Sequence, residues 1–406
     1  MIRSLVRAAG ALTIAGVALS CDHEAEVFMP EPADDLFRSY VAIGNSITAG
    51  VQADGINNAT QRQSYAFLLA QQMRTRFAYP ALAGRGCTPP IINWQTGQRF
   101  GTGSTSTTCD LRDAAVATDI LNNVGVPGAS SNEVHSLESP NHNVLTTLFL
   151  GGKTQVERAL EANPSFVTIW LSGNDAFQAA ATGVIVPTPN VSRGLTPIPT
   201  FIANYDRMLA DLTAGAPGVK GVLISTVQTA SAPLLFPVAA FENPAFLQGF
   251  STAAGGPVTV HPNCVGSGAL VSFVILGRMA SGAHPRTIVC EPTAPASVGD
   301  IFILDATEQA TVRTHVDAYN AHVQAKATEL DFAYVDPNVV LGQFKSEGCA
   351  TVFPNLAAAA TASAFGPCVS LDGVHPSPTG QARMANTIIT AINAKYGTSL
   401  APVTVP

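Results

Sequence analysis

Three side chains of this sequence have the types and positions that nucleophilic chemistry needs. Ser46 lies in the stretch YVAIGNSITAG, where an apolar, β-branched run at 40–43 gives way to small and polar residues. Far downstream, LDGVHPSPTG places Asp372 and His375 three residues apart. A serine hydroxyl needs a base to take its proton, and an imidazole is that base when an acceptor on its other nitrogen fixes the tautomer. The spacing of three residues is short enough for one turn of loop to bring the Asp372 carboxylate to the His375 imidazole as that acceptor.

Each of these residues also has an ordinary structural interpretation when it is considered alone. Ser46 stands between nearby glycines and fits a turn, Asp372 before a glycine fits another turn, and His375 fits a surface imidazole. Position in the fold decides between the interpretations, because a nucleophile has to stand where the fold presents a site.

The elements around these residues predict a parallel sheet that is covered by helices on both faces. Four apolar stretches have strand length, and most are hydrophobic enough for strands buried on both faces. Helical spacing of apolar side chains recurs between them, and this alternation is typical of α/β folds, which present their sites at the carboxyl ends of strands. Ser46 stands at such an end. The predicted strands are 40–43, 166–171, 222–225 and 332–335, and the helical stripes lie at 65–73, 201–209, 312–323 and 380–396.

Length and composition limit the classes of partner. The 406 residues are 47% hydrophobic and 12% charged, which is enough to bury one large core or two modest ones. The formal net charge is -7, and no long run of basic residues provides a footprint for nucleic acid. The sequence therefore excludes nucleic acid and acidic polymers as expected partners.

The N-terminus predicts export and lipidation. Arg3 and Arg7 precede an apolar run at 8–19 that is shorter than the roughly 20 residues of a membrane-spanning helix, an order that matches a signal peptide at 1–20. The end of this segment, ALSC, resembles a bacterial lipobox, so Cys21 is expected to carry a lipid anchor and 21–37 to form a tether. The expected location is the bacterial cell envelope, periplasmic or at the cell surface. The alternative is a secreted protein. If the wild type and Cys21→Ala both stayed out of the detergent phase, that result would indicate secretion.

The six cysteines that remain predict disulfides. An even number in an exported chain favours pairing, and six cysteines allow 15 connectivities. The cysteines fall as three near-neighbour couples within loop-like sequence, which favours local pairing. No CxxC or HExxH spacing indicates a metal site. The predicted disulfides are Cys87–Cys109, Cys264–Cys290 and Cys349–Cys368.

From about residue 39 to residue 397 the chain resembles the SGNH/GDSL hydrolase family in four sequence blocks that follow the family's order. GNSITAG is similar to the first block, with Ser46 at the nucleophile and Asn45 where the family usually has aspartate. NVGVPGAS and WLSGND are similar to the second and third blocks, and the DxxH of the last block is matched by Asp372 and His375. In the third block Ser172 stands where the family usually has glycine.

The resemblance implies a fold and an activity. The expected fold is an α/β three-layer α/β/α sandwich with a mostly parallel, flavodoxin-like central sheet, spanning 38–397 and followed by a tail at 398–406. The implied activity is ester hydrolysis by a Ser46, His375, Asp372 triad, without a cofactor. The implied oxyanion-hole donors are the backbone N–H groups of Ser46 and Gly128 and the side-chain amide of Asn174.

The resemblance leaves the substrate and the acceptor open. Small esters, lipids and acylated sugars all fit, and transfer of the acyl group to an acceptor other than water is an alternative to hydrolysis. A second alternative is a surface lipoprotein that uses the fold mainly for binding. The oligomeric state is also open.

A segment at about 228–299 interrupts the alternation of strands and helices with many Pro, Gly and Ala residues, and it predicts a disulfide-tied insertion. Two interpretations remain for it. Its apolar residues form a lid or acyl-binding wall, or the segment is a structural flap. The residues concerned are Leu234, Leu235, Phe236, Phe241, Phe246 and Phe250.

Overall fold

A computed structural model describes residues 31–113, 120–136, 143–187, 194–290 and 302–406. The predicted signal peptide, Cys21 and most of the predicted tether lie outside these ranges, so lipidation and export stay predictions. Within the described ranges no helix is both long and apolar enough to cross a bilayer.

The strands of the described residues are short, and they belong to four sheets. In chain order they are β1 Tyr40–Gly44, β2 Ile91–Asn93, β3 Gln98–Arg99, β4 Phe166–Trp170, β5 Lys220–Ile224, β6 Leu235–Pro237, β7 Thr259–Val260, β8 Leu270–Ser272, β9 Thr287–Ile288, β10 Ile303–Leu304 and β11 Ala333–Val335.

The helices alternate with the central strands, as the apolar spacing predicts. In chain order they are α1 Ser46–Ala49, α2 Asn58–Gln61, α3 Tyr65–Met73, α4 Leu145–Leu150, α5 Gln155–Glu161, α6 Phe177–Thr182, α7 Ile198–Gly215, α8 Pro244–Ala253, α9 Val274–Ala280, α10 Ala306–Glu329, α11 Pro337–Ser346 and α12 Pro378–Tyr396. Short 3-10 helices occur at Asp35–Phe37, Ser172–Asp175, Thr229–Ser231, Val238–Glu242 and Pro262–Cys264.

The central sheet is parallel, with the strand order β1-β4-β5-β11. On the open side of β1, the segment 122–126 adds a further parallel connection, since the Val124 N–H donates to Ala42 O at 2.9 Å and the Val126 N–H to Gly44 O at 3.1 Å. When this segment is counted as a strand and the five strands are numbered along the chain, they lie side by side in the order 2-1-3-4-5. That is the flavodoxin-like arrangement, and it confirms the predicted fold class.

Each face of the central sheet buries its own core. Side chains alternate along β1, so Val41 and Ile43 face one core while Tyr40 and Ala42 face the other. Helices α5, α7 and α10 cover the first core, and α3, α11 and α12 cover the second. Both faces are therefore covered by helices, which explains why these strands are hydrophobic at nearly every position.

The segment between β5 and α10 departs from this pattern and forms a small unit with a third apolar core. Its strands β6, β8 and β10 make an antiparallel sheet, and α8 and α9 lie in the same unit. Three of the phenylalanines for which a lid, an acyl-binding wall and a structural flap were all open, Phe236, Phe241 and Phe250, are buried in this core. Hydrophobicity indicated that these residues are buried, but not against which surface.

The three near-neighbour cysteine couples lie at disulfide distance, in the pairing that the sequence predicts. The bonded pairs are Cys87–Cys109, Cys264–Cys290 and Cys349–Cys368. The second bridge lies within the unit between β5 and α10.

Candidate active site

Ser46 stands where β1 ends and the short helix α1 begins. Asn45 caps this helix, because its Oδ1 accepts a hydrogen bond from the Ile47 N–H at 3.1 Å. Before it, Gly44 has to be a glycine, since a Cβ there would lie 2.6 Å from the carbonyl oxygen of Trp170 in β4. The sharp turn therefore places the serine directly after the strand, at the carboxyl edge of the sheet.

The two departures from the family pattern each make a contact. The Asn45 Nδ2 donates to the carbonyl oxygen of Leu171 at 3.2 Å, a bond that an ionised aspartate could not make. The Ser172 hydroxyl accepts from Thr226, at the end of β5. The amide and the hydroxyl thus connect the carboxyl ends of β1, β4 and β5.

The segment 370–375, here called the catalytic loop, brings the predicted triad together. The Oγ of Ser46 lies 2.8 Å from Nε2 of His375, and the Nδ1 of His375 lies 2.7 Å from Oδ2 of Asp372. The histidine and aspartate side chains are 15% and 9% exposed. With its Nδ1–H bonded to the carboxylate, the imidazole presents a free Nε2 to the serine hydroxyl, as a general base must.

The catalytic loop surrounds Asp372 with donors. Its Oδ1 accepts from the Ser370 hydroxyl and from the backbone N–H groups of Val374 and His375, each at 2.9 Å. Its Oδ2 accepts from the Asp54 N–H at 2.6 Å. Burial by itself would raise the pKa of Asp372, but the charge and hydrogen bonds of His375, together with the Val374 N–H, bring it well below its ordinary value.

The pKa of His375 is shifted in the opposite direction. Burial by itself would lower the pKa of His375, but the carboxylate of Asp372, its hydrogen bond and the more distant charge of Asp54 raise it above the ordinary value. The neutral form, which can accept a proton from Ser46, therefore predominates only at a higher pH than for a free imidazole.

The segments 127–131 and Ser172–Asp175, here called the donor corner, lie on the other side of Ser46. Gly128 adopts φ +82°, a left-handed conformation that favours glycine. The Nδ2 of Asn174 donates to Ala129 O at 2.9 Å, which leaves its second hydrogen for a ligand. Among the described residues, neither the Ser46 nor the Gly128 backbone N–H has an acceptor. All three residues that carry the predicted oxyanion donors line the cavity.

A buried carboxylate holds the donor corner together. Asp175 is fully buried and accepts from the Ser131 N–H at 3.0 Å and from the Ser131 hydroxyl at 2.6 Å. Burial raises the pKa of Asp175 to about 6, and hydrogen bonds from Ser131 and Thr196 offset only part of this effect. Since Asp175 follows Asn174 directly, this contact fixes one donor segment to the other.

These groups open into a cavity of about 1200 Å³. The sheet end contributes the triad and donor residues, the region of the β2–β3 hairpin contributes a second wall, and the unit between β5 and α10 contributes a third. Among the residues of these described ranges, no three His, Cys, Asp or Glu side chains are grouped to hold a metal ion. The residues that line the cavity include Ser46, Trp94, Gly128, Asn174, Leu234, Phe273, Val274, Leu276, Gly277, Arg278 and His375.

Two parts of this arrangement were missed by the sequence interpretation. The Asp54 N–H reaches Asp372 across 318 positions, and any residue at 54 would supply the same backbone group, so no side-chain signal marks it. Asp175 is the last residue of the third block, and the sequence predicts no role for it. Its partner Ser131 directly follows the second block, and pairing of buried polar residues at the two blocks is the signal that could have indicated the contact.

The sequence of residues 40–388 matches the model of the family described as GDSL-like Lipase/Acylhydrolase. This match covers the triad, the donor corner and the unit between β5 and α10. A comparison with curated protein sequences finds no match.

Solved structures with similar chains include several esterases and lipases. A catalytic mutant of an acetylxylan esterase from Geobacillus stearothermophilus is 11% identical, with 87% of this chain and 94% of that chain covered and a TM-score of 0.38. An extracellular lipase from Streptomyces rimosus is 13% identical, with 87% and 99% covered and a TM-score of 0.33. A phospholipase A1 from Streptomyces albidoflavus is 14% identical, with 88% and 98% covered and a TM-score of 0.33.

Proposed function

The chain belongs to the GDSL-like lipase/acylhydrolase family and is a carboxylic ester hydrolase, and from this premise we propose that it cleaves esters through a Ser46, His375, Asp372 triad. The observation that carries the proposal is the chain of two short contacts, 2.8 Å from Ser46 to His375 and 2.7 Å from His375 to Asp372. Both contacts lie at one wall of the cavity, beside three backbone and side-chain donors.

In the first half of the reaction, Ser46 Oγ attacks the ester carbonyl carbon while His375 Nε2 takes the serine proton. The carbonyl oxygen becomes an anion, which accepts hydrogen bonds from the N–H groups of Ser46 and Gly128 and from the amide of Asn174. When this tetrahedral intermediate collapses, the bond to the alcohol oxygen breaks and His375 gives that oxygen its proton. The products are a free alcohol and an acyl ester on Ser46.

In the second half, water attacks the acyl ester and the same groups act again. His375 takes a proton from the water, the donors stabilise the second oxyanion, and the proton returns to Ser46 Oγ as the acid leaves. Asp372 stays ionised throughout, since its contacts with His375 hold its pKa well below its ordinary value. Its task is to hold the imidazole and to stabilise its positive charge.

The direct test is hydrolysis of p-nitrophenyl acetate by wild type and by Ser46→Ala. Loss of the nucleophile should lower kcat by about a million-fold, the scale found when a triad serine is removed. Ser346→Ala, at an exposed serine in α11, is the matched control and should leave the rate unchanged. A fluorophosphonate probe should modify Ser46 in the wild type, and an unchanged rate in Ser46→Ala would refute the proposal.

A further inference from the structure

We propose that the unit between β5 and α10 is a fixed wall that binds an alkyl chain of the ester substrate. The wall consists of Leu234, Phe273, Val274, Leu276 and Gly277, which all line the cavity. The inference rests on the proposed function, because the wall serves catalysis only if Ser46 acts on an ester in this cavity.

The wall is hydrogen-bonded to the catalytic loop. The Leu234 N–H donates to the carbonyl oxygen of Gly373 at 2.9 Å, two residues before His375. The Phe273 N–H in turn donates to the carbonyl oxygen of Leu234 at 2.9 Å. Movement of the wall away from the site would break the first of these bonds and disturb the loop that carries the base.

Aromatic packing reinforces the same connection. The ring of Phe273 packs edge-on against Phe365, with 5.0 Å between the ring centroids. Phe365 also lies tightly under Gly373, since a Cβ on that glycine would come within 2.7 Å of the Phe365 ring. Near the β2–β3 hairpin, the ring of Trp94 packs against the ring of Phe273, with 6.0 Å between the ring centroids. The wall is therefore clamped between the catalytic loop and the region of the β2–β3 hairpin.

Further contacts hold the unit at its edges. The Phe302 N–H donates to the carbonyl oxygen of Thr182, at the end of α6, at 2.7 Å. The Nζ of Lys345 in α11 donates to the carbonyl oxygen of Ser231 at 2.8 Å. Attachment to the catalytic loop, α6 and α11 makes a wall that is in place before substrate arrives, in contrast to a lid that has to open.

The chemistry of the wall selects an alkyl chain. Its side chains are apolar, and Val274 is 40% exposed although it is a large hydrophobic residue that faces the cavity. Among the described residues that line the cavity, Arg278 is the one lysine or arginine. The volume of about 1200 Å³ exceeds what an acetyl group needs and lies above the range of typical small-ligand pockets, about 300–1,000 Å³. An alkyl chain would cover this surface and gain the free energy of removing it from water.

Two substrate series distinguish whether the chain belongs to the acid or to the alcohol. One series consists of p-nitrophenyl esters from acetate to decanoate, and the other of alkyl acetates from ethyl to decyl. In one of the two series, kcat/KM of the wild type should rise by about fourfold per methylene until the chain extends beyond the wall. This rise corresponds to about 0.8 kcal/mol for each buried methylene. Two flat series would overturn the inference.

A variant whose new side chain occupies the space in front of the wall provides the decisive comparison. Gly277 lies in α9, lines the cavity, and has no atom within 4 Å of an added Cβ, so Gly277→Phe places a ring in open space. It should lower kcat/KM for the octyl or octanoyl substrate by at least about tenfold relative to kcat/KM for the acetate or ethyl ester, as if two methylenes had lost their contact. Gly342→Phe in α11, which also meets no atom within 4 Å and does not line the cavity, is the matched control.

The outcomes separate this inference from the proposed function. Hydrolysis of p-nitrophenyl acetate that depends on Ser46, combined with equal chain-length profiles for wild type and Gly277→Phe, would overturn the wall and leave the triad intact. Absence of all ester turnover would overturn both. A fixed wall also predicts that the rate rises smoothly as the octanoate concentration passes the solubility limit, whereas a sudden increase at that point would indicate a lid.

Discussion

The catalytic loop and the donor corner each present an aspartate with little or no solvent contact. The pKa values of the two carboxyl groups are shifted in opposite directions. The pKa of Asp372 lies well below its ordinary value, whereas the pKa of Asp175 is raised to about 6. Burial opposes ionisation of both groups. Asp372 has the imidazole of His375 at 2.7 Å, while Asp175 has only neutral donors from Ser131 and Thr196.

The difference shows that burial does not by itself determine the charge of a carboxyl group. A partner that can become a cation keeps Asp372 ionised, and an ionised Asp372 is what orients the imidazole and stabilises its charge. Asp175 has no such partner, and its function is to fix Ser131 to the segment that carries Asn174. One aspartate therefore acts through its charge and the other mainly through its hydrogen bonds, and variants that remove only the charge should separate them.

Asp372→Asn should have the largest effect of these variants. The amide cannot serve both as an acceptor for the Nδ1–H of His375 and as a charged partner, so the histidine is left in the wrong tautomer or without stabilisation of its positive charge. The expected loss in kcat is about 10⁴-fold. Asp35→Asn is the control, because Asp35 is exposed and does not line the cavity. A loss of less than about tenfold in Asp372→Asn would remove the distinction between the two aspartates.

Asn174→Ala should have an intermediate effect, and it tests the donor corner without changing a charge. Its amide matters most when negative charge has developed on the carbonyl oxygen, so kcat should fall by about 100- to 1,000-fold with little change in KM. Steady-state kinetics on p-nitrophenyl acetate measure both constants. Asn355→Ala, at an exposed asparagine outside the cavity, is the control, and a change confined to KM would assign Asn174 to substrate binding.

The contrast between the two aspartates also marks how far the sequence could predict the site. Residue type and order predicted Ser46, Asp372 and His375 as a triad, because few side chains can act as nucleophile, base and orienting acid, and the fold brings the three side chains into contact. The hydrogen bonds that hold the carboxylate could not all be predicted, since one of them comes from the Asp54 N–H, 318 positions from Asp372. A backbone group has the same chemistry at every residue, and only the fold brings it to the carboxylate.

The fold shows the same limit. The long apolar stretches predicted β1, β4, β5 and β11, with shifts of one or two residues at their ends. The segment 122–126 was not predicted as part of the sheet, because it is short and begins with polar residues, and its pairing with β1 comes from backbone bonds across the fold. The phenylalanines around Phe236 show that apolar character alone does not distinguish a core from a cavity wall.

Asp175→Asn should have the smallest effect on kcat, and its main result is a change in how stability depends on pH. A carboxyl group whose pKa is raised in the folded protein, from 3.8 to about 6 for Asp175, stabilises the fold fully below the unfolded value and loses that contribution as the pH rises through the folded value.

The wild type should therefore lose about 2.4 kcal/mol of unfolding free energy relative to Asp175→Asn between about pH 4 and pH 7, since each tenfold change in proton affinity is worth about 1.4 kcal/mol and part of the change falls below pH 4. Asparagine keeps an acceptor for Ser131 and does not titrate, so the pH-dependent difference between the two proteins reports mainly on the Asp175 carboxyl. Chemical denaturation at pH 4, 5, 6 and 7 measures it. The shifts of Asp372 and His375 are present in both proteins and cancel in the comparison. Parallel stability curves would show that Asp175 is already ionised at pH 4, like Asp372, and that the donor corner and the catalytic loop hold their aspartates in the same state.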